Sequence, residues 1–267
     1  MPLAVCATPI GNLEDVTLRV LRELREADLV LCEDTRHTRV LLERHGIEAR
    51  LLSYHDHNEA KRTAELLPRL QAGERLALVS DAGLPGISDP GGRLIAAALD
   101  AGVPVSVLPG PSAVETALVA SGLGAERYEF IGFLPRSETQ LGTLWGELAH
   151  VRHTLVAFES PQRVARSLAS LAEALPDRQV AVCRELTKRF EEVARGSAID
   201  VAERFAGGAK GEITLIVGPG DAVDAGSDAA LQAVAELLAA GTPRRAASEV
   251  VSRLTGVPKN QLYDASL

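Results

Sequence analysis

The sequence lacks any long uninterrupted run of apolar residues. Nowhere in its 267 residues does such a run approach the roughly 18 to 20 residues that cross a bilayer. The first residues also lack the basic segment, apolar segment and cleavage site of a secretion signal. We therefore expect a cytoplasmic protein. Hydrophobic residues still make up 46% of the chain, which is enough for the cores of one or two domains.

Cysteine is scarce as well. The chain has three cysteines, Cys6, Cys32 and Cys183, and they lie far apart within apolar segments. Because their number is odd and their spacing wide, a disulfide framework is excluded. Such cysteines are typical of buried free thiols in a reducing compartment.

Positive charge is limited, and little of it comes from lysine. The formal net charge is -8, and all but four of the 28 basic residues are arginines. Proteins that hold nucleic acid by bulk charge have a strongly positive surface, so the net charge argues against that mode of binding. Local patches stay open, because arginine binds phosphate through two parallel hydrogen bonds. The arginine excess is equally typical of a GC-rich genome.

The first half of the chain alternates short apolar runs with longer amphipathic stretches. This alternation predicts βαβ units and a parallel sheet. Leucines and alanines at helical spacing predict surface helices over 17–27 and 58–71. The predicted strands are 3–8, 28–33, 75–80 and 105–109.

The pattern changes at about residue 128. Five further apolar runs follow, with helical patterns only at about 138–149, 161–175 and 197–205. Strands therefore meet directly near residues 184–190, which predicts a mixed sheet with antiparallel pairs. The last two of these strands are predicted over 189–196 and 212–218.

Composition divides the chain into three regions. Residues 218–228 are rich in glycine, aspartate and proline and are typical of a linker. The predicted fold class is α/β, with an N-terminal parallel-sheet lobe over 1–115 and a mixed-sheet lobe over 116–220. A linker and a helical segment complete the chain over 221–267. Within that segment, residues 242–263 either form a helix-turn-helix or a plain helical cap.

Three glycine- and proline-rich turns follow predicted strands, at 8–12, 80–91 and 108–113. Open α/β sheets bind their ligands at the carboxyl ends of strands, so all three turns fall where a site is expected. None is a G-x-G-x-x-G fingerprint or a P-loop, which disfavours a dinucleotide or ATP phosphate cradle. In the second turn, Asp81 precedes two small residues that allow a ligand to approach the backbone. An ordinary strand-to-helix turn is the alternative.

These turns, in this order, resemble the tetrapyrrole methylase superfamily. Within this superfamily, the chain most resembles the ribosomal RNA small subunit methyltransferase I family. The resemblance is carried by several long sequence segments that occur in the same order. Ser80-Asp81-Ala82 replaces the Gly-Asp-Pro that is usual in corrin and sirohaem methylases, which favours the RNA branch. The matching words are ATPIGNLEDVTLRVLRELREADLVLCEDTR, SDAGLPGISDPG, LPGPSA, FIGFLPR, ESPQRV and CRELTKRFEE.

The resemblance implies a function. It implies S-adenosylmethionine bound between two α/β lobes and methylation of the ribose 2'-hydroxyl of a cytidine in the decoding region of 16S rRNA. It also implies a homodimer. Free RNA and a partly assembled 30S subunit both stay open as the substrate, and the weak overall charge favours the assembled particle, whose proteins and folded RNA could supply the recognition. Methylation of a tetrapyrrole or of a protein side chain is the alternative, and a nonenzymatic nucleotide-binding module is a third.

The resemblance also implies the cofactor residues. The second-lobe members could instead be plain core, and Ser112 could simply cap a helix. The implied residues are Pro9, Asp81, Ala82, Gly83, Leu84, Ser112 and Ala113 from the first lobe, and Phe158 and Ile213 from the second.

Methylation of a hydroxyl releases a proton, so an acceptor is needed near the substrate. Two strand ends are dense in titratable groups, and we expect the acceptor there: Glu33, Asp34 and Arg36 at one, His55 and Asn58 at the other. A helix cap with an ion pair is the alternative for the first cluster. His55 and His57 share a strand face but have no third ligand at a recognisable spacing. We expect no metal.

Basic residues of the second lobe could form a local rim that contacts phosphate and so positions RNA without reading its bases. A solvated surface is the alternative for each. The candidates are Arg136, Arg163, Arg184, Lys188 and Arg189.

Overall fold

The structure is a computed structural model and describes residues 2–149, 151–220 and 225–266. Within these residues the chain divides into two compact units. One comprises residues 1–146 and 153–219 and holds both sheets, and the other comprises 147–152 and 220–267. The predicted three-region division, at 115 and 220, stays a proposal. Among the described residues, no helix has the length and apolar character needed to cross a membrane.

The first sheet is parallel, as predicted. Its order is β3-β2-β4-β1-β5. The three central strands are buried on both faces because helices cover both sides of the sheet. The strands are β1 (Leu3–Cys6), β2 (Leu29–Cys32), β3 (Leu51–Ser53), β4 (Leu76–Leu78) and β5 (Val105–Leu108), and the helices are α1 (Leu18–Glu26), α2 (Thr35–Arg44), α3 (Glu59–Gln71) and α4 (Gly92–Asp100).

The second sheet is mixed, as predicted, in the order β6-β7-β10-β8-β9. β6 and β7 are parallel, and the other neighbours are antiparallel. Helix α5 (Ala113–Ser121) follows the first sheet along the chain but packs its buried residues into the core of the second. The remaining elements are β6 (Tyr128–Phe133), α6 (Glu138–Leu148), β7 (Thr154–Glu159), α7 (Val164–Ala174), β8 (Gln179–Arg184), β9 (Glu192–Ser197), α8 (Ala198–Arg204) and β10 (Ile213–Val217).

Two predicted boundaries were wrong. The strand expected over 189–196 begins only at Glu192, because residues 185–191 form a turn in which Glu185 (φ 52°) and Thr187 (φ 65°) adopt left-handed backbone conformations. The linker expected over 218–228 is shorter, because a helix already begins at Ala225. Residues 221–224 of that linker lie outside the described residues.

The second unit contains three helices in its described part: α9 (Ala225–Ala239), α10 (Arg244–Thr255) and α11 (Lys259–Ala265). They enclose a small apolar core that includes Val234, Val251 and Leu262. The helical prediction for this segment is confirmed.

The three cysteines are free and buried, as expected. Burial raises the pKa of the Cys6 thiol to about 12 and that of Cys183 to about 11. These thiols are therefore protonated at neutral pH and act as small core residues.

Candidate functional site

A cavity of about 610 Å³ lies between the two sheet lobes of the first unit. The second and third glycine-rich turns form one wall, and the ends of β7, β8 and β10 form the other. Of the nine predicted cofactor residues, seven line this cavity: Ala82, Gly83, Leu84, Ser112, Ala113, Phe158 and Ile213.

Backbone hydrogen bonds tie the first two turns together at this wall. Thr8 and Gly83 exchange backbone hydrogen bonds of 2.8 and 3.0 Å, and the Thr8 hydroxyl donates to the Ser80 carbonyl at 3.0 Å. Gly83 has φ +77°, a left-handed conformation that glycine adopts without strain. The turn at 80–91 is therefore held in one shape beside the cavity.

The second-lobe wall is aromatic. Phe158 packs edge-to-face against Phe130 and Phe133, with ring centroids 4.9 and 5.6 Å away. Phe133 and Ile87 also line the cavity while remaining 58% and 49% exposed, so they lie at its mouth. Sequence reasoning missed Ile87 and Phe133, although Phe133 belongs to the FIGFLPR word.

Asp89, in the second glycine-rich turn, is an acidic residue of the first-lobe wall that the sequence did not single out. Burial raises its pKa to about 6; a hydrogen bond from Ser80 opposes the rise, and the charges of Glu33 and Asp81 add to it. Its position in the same turn as Asp81 was the available signal. An ionisable carboxylate therefore faces the large cavity.

A smaller cavity of about 240 Å³ adjoins the first. Two predicted cofactor residues, Pro9 and Asp81, line this small cavity instead of the large one. Asp81 also accepts the backbone N–H of Asp34 at 3.1 Å. His37 and Lys188 complete the titratable groups around it, together with Glu212. Sequence reasoning missed His37, the residue that follows Arg36.

The predicted proton-acceptor residues lie near these cavities without lining them in the described structure. Asp34 caps α2, accepting the Arg36 backbone N–H at 2.8 Å and pairing with its guanidinium at 2.6 Å. These bonds lower the pKa of Asp34 to about 2. The cap alternative is thus confirmed for this pair, and catalysis by Asp34 or Arg36 stays a proposal.

The other members of that set are tied to local structure or to the acidic cluster. Burial, reinforced by the Asp81 and Asp56 charges, raises the pKa of Glu33. Asn58 accepts the His55 backbone N–H at 3.0 Å, and its amide donates to His55 Nε2 at 3.1 Å. His55 Nδ1 is buried and has no hydrogen-bond partner among the described residues.

Most of the basic residues predicted to contact RNA form ion pairs or a ring contact within the second lobe. Arg163 pairs with the buried Glu159 at 2.5 Å, and Arg184 pairs with Glu192 at 2.8 Å. The Arg189 guanidinium lies over the ring of Phe190, 5.6 Å from its centroid. Arg136 is exposed. Contacts of these residues with RNA stay predictions.

Across the described residues, no group of three histidine, cysteine, aspartate or glutamate side chains could hold a metal ion.

Comparison with known proteins decides the family. The family described as Tetrapyrrole (Corrin/Porphyrin) Methylases matches residues 2–202. A ribosomal RNA small subunit methyltransferase I from Mesorhizobium japonicum is 46% identical over 98% of this chain and 90% of its own. One from Mycobacterium tuberculosis is 47% identical over 99% and 94%. The chain belongs to this methyltransferase family. Its members use S-adenosylmethionine as methyl donor, as the resemblance implied.

Two further comparisons concern the C-terminal segment and the length of the chain. Residues 224–267 match the family described as RsmI C-terminal HTH domain, in agreement with the helix-turn-helix alternative for this segment. The Thermotoga maritima relative, 43% identical, covers 80% of this chain with 97% of its own length. That relative is therefore too short to contain every part of this chain.

Solved structures share the two-lobed fold. A uroporphyrin-III C-methyltransferase from Thermus thermophilus, complexed with S-adenyl homocysteine, has a TM-score of 0.57 at 22% identity. It aligns over 81% of this chain and 96% of its own. Diphthine synthase has a TM-score of 0.62 at 15% identity, over 81% and 89%. The tetrapyrrole methylase fold is thus confirmed.

Proposed function

We propose that this chain methylates the ribose 2'-hydroxyl of a cytidine in the decoding region of 16S rRNA, with S-adenosylmethionine as methyl donor. The observation that carries this proposal is the large cavity between the lobes, built from the predicted turns. The relatives that share almost the whole chain are named for the small subunit's ribosomal RNA. The cytoplasm, where that RNA is assembled, is the proposed location.

The residues of the large cavity fit S-adenosylmethionine. Its volume of about 610 Å³ falls within the roughly 300 to 1,000 Å³ of small-molecule sites. Phe158 and Leu84 provide apolar surface for the adenine, and Ser112 and Asp89 provide polar groups. When bound, the cofactor supplies a methyl group on a positively charged sulfur, which leaves as a neutral thioether. The Asp89 carboxylate complements that positive charge.

Cofactor affinity should therefore rise with pH through the titration of Asp89. Below about pH 5 this carboxyl, with its pKa of about 6, is protonated and neutral. At pH values above this pKa, the carboxylate attracts the sulfonium. We therefore expect S-adenosylmethionine to bind more tightly at pH 7 than at pH 5, with no such rise in Asp89→Asn. The free energy of unfolding of the cofactor-free protein should instead fall as pH rises from the ordinary pKa of an aspartate towards 6. Over that range Asp89 is ionised in the unfolded chain but still protonated in the folded protein. Calorimetric titration at both pH values measures the binding. An equal change in affinity between pH 5 and pH 7 for the wild type and Asp89→Asn would contradict the assignment.

We place proton acceptance at the acidic strand ends of the first sheet. Asp81 lines the small cavity, and Glu33 lies within reach of its charge. The raised pKa of Glu33 suits it as a second acceptor, because a base works best when its pKa lies near the ambient pH. Asp34, Arg36, His55 and Asn58 complete this proposed set as groups that orient it.

The proposed substrate is 16S rRNA within the 30S subunit. The net charge of -8 disfavours capture of naked RNA by bulk attraction, whereas an assembled particle offers further recognition. Transfer of labelled methyl to naked 16S rRNA, 30S subunits and 70S ribosomes tests the proposal, with 30S expected to take most label. Label in tetrapyrrole or protein from cell extract, with none in RNA, would favour the alternative functions.

We also propose a homodimer. Edge strands β5 and β6 expose Val107 and Tyr128, and Val119 of α5 is 76% exposed. Pairing of two copies would cover such edges and apolar side chains. Light scattering at micromolar concentration should give twice the mass of the 28.3 kDa chain, and a monomer mass would contradict the proposal.

A further inference from the structure

Lys188 lies in the wall that the two cavities share, where they adjoin. Four residues line both cavities: Ile10, Ala82, Lys188 and Glu212. Only Lys188 and Glu212 among them have titratable side chains. A charged group at this wall can act on ligands in both cavities at once.

The local backbone is built to hold Lys188 in this place. Glu185 (φ 52°) and Thr187 (φ 65°), on either side of Leu186, adopt left-handed conformations that are strained for residues other than glycine. The Asn12 N–H donates to the Thr187 hydroxyl at 3.0 Å, which fixes this second-lobe turn against the first lobe. Strain of this kind persists where the surrounding structure enforces it, and it clusters at functional sites.

Two glycines make room for the same group. A Cβ at Gly11 would lie 2.5 Å from Lys188 Cγ and 3.0 Å from the Leu186 carbonyl oxygen. A Cβ at Gly211 would overlap the Glu185 side chain. Side chains at either position would displace Lys188 or its carboxylate partner.

Lys188 is kept charged, and part of its hydrogen-bonding capacity is left for a ligand. Its Nζ donates to Glu185 at 3.0 Å and to Glu212 at 2.7 Å. Burial alone would lower the pKa of Lys188, but these two carboxylates outweigh it and raise the pKa. An ammonium has three donors, and the described residues provide hydrogen-bond acceptors for two of them. One donor therefore remains for a group in the cavities.

We propose that the small cavity receives the ribose of the target nucleotide and that the Lys188 ammonium binds the hydroxyl oxygen that becomes methylated. This inference rests on the proposed function and makes Lys188 a catalytic residue, where the sequence had suggested only a phosphate contact. A nearby cation favours the ionised form of a hydroxyl and so lowers its pKa. The hydroxyl proton passes to the Asp81 carboxylate, which lines the same cavity. Lys188 keeps its proton while the new O–C bond forms and the methyl–sulfur bond breaks.

Single-turnover methylation of 30S subunits tests this role. Lys188→Met is compared with wild type and with Lys210→Met, which removes an exposed second-lobe lysine that lines neither cavity. We expect Lys188→Met to be about 100-fold slower or more, with S-adenosylmethionine affinity changed by less than about threefold. Lys210→Met should react at the wild-type rate.

The pH profile separates catalysis from a structural role. If Lys188 lowers the pKa of the acceptor hydroxyl, the Lys188→Met rate should keep rising at alkaline pH after the wild-type rate has levelled off. Lys188→Arg, which keeps a cation, should recover at least about tenfold of the lost rate. Gly11→Ala provides a second test if Lys188→Met does not fold. It displaces the lysine stem without changing its charge, and we expect it to lower the rate as well.

Several results would overturn the inference. A wild-type rate in Lys188→Met, parallel pH profiles, or a rate loss explained entirely by weaker cofactor or 30S binding would each contradict it while leaving the proposed function intact. Absence of methyl transfer to any ribosomal substrate by the wild-type protein would contradict the proposed function and this inference together.

Discussion

Ala113→Trp is expected to weaken S-adenosylmethionine binding by about 100-fold or more, which corresponds to about 2.7 kcal/mol. Ala113 begins α5 and lines the large cavity. An indole there would occupy space that the ligand needs, because such sites bury most of the ligand surface. Isothermal titration calorimetry measures the loss directly.

The matched control lies on a surface helix away from both cavities. Leu99→Trp introduces the same side chain in α4 at a position that is 59% exposed and lines neither cavity, so cofactor affinity should not change. Thermal unfolding should give similar transitions for both variants. Wild-type affinity in Ala113→Trp would show that S-adenosylmethionine binds elsewhere.

Asp81→Asn is expected to lower the single-turnover methylation rate by about 100-fold or more, because it removes the carboxylate that we propose takes the hydroxyl proton. Asparagine keeps the shape of the side chain and an oxygen that can accept the Asp34 N–H. Cofactor affinity should stay within about threefold of wild type, since Asp81 lines the small cavity.

Controls for this variant come from the neighbouring strand end. Asp34→Asn changes a half-buried capping residue that we place among the orienting groups, so it should lower the rate less than Asp81→Asn does. Glu33→Gln tests the neighbouring carboxylate, whose pKa the Asp81 charge helps to raise. A fall in cofactor affinity that matches the fall in rate would instead assign Asp81 to the cofactor, as the sequence first suggested. A wild-type rate in Asp81→Asn would exclude it as the proton acceptor.

Much of the fold could be predicted from the sequence because it depends on short-range patterns. Alternation of apolar runs with amphipathic stretches indicated the parallel sheet, and direct succession of strands indicated the mixed one. The turns were placed correctly because parallel strands bring their carboxyl ends to one edge. The strand expected over 189–196 began late because Glu185 and Thr187 adopt left-handed backbone that no apolar pattern reveals.

The side chains of the site were harder to predict. Asp81 and Asp89 belong to one turn, yet they line different cavities, because left-handed residues such as Gly83 and Ser88 redirect the chain between them. Sequence alone also could not show that Arg163 pairs with Glu159. Such pairings depend on three-dimensional contacts between separate elements, as does the wall that Lys188 shares between two cavities.

The position of the transferred methyl group tests the central claim most directly. After reaction of the wild-type protein with 30S subunits and labelled S-adenosylmethionine, 16S rRNA is digested to nucleosides and the labelled nucleoside is identified and mapped. Our proposal predicts label in 2'-O-methylcytidine from the decoding region, with the adjacent phosphodiester resistant to alkali because its nucleophilic hydroxyl is methylated. Label on a base, in another nucleoside or outside 16S rRNA would contradict it.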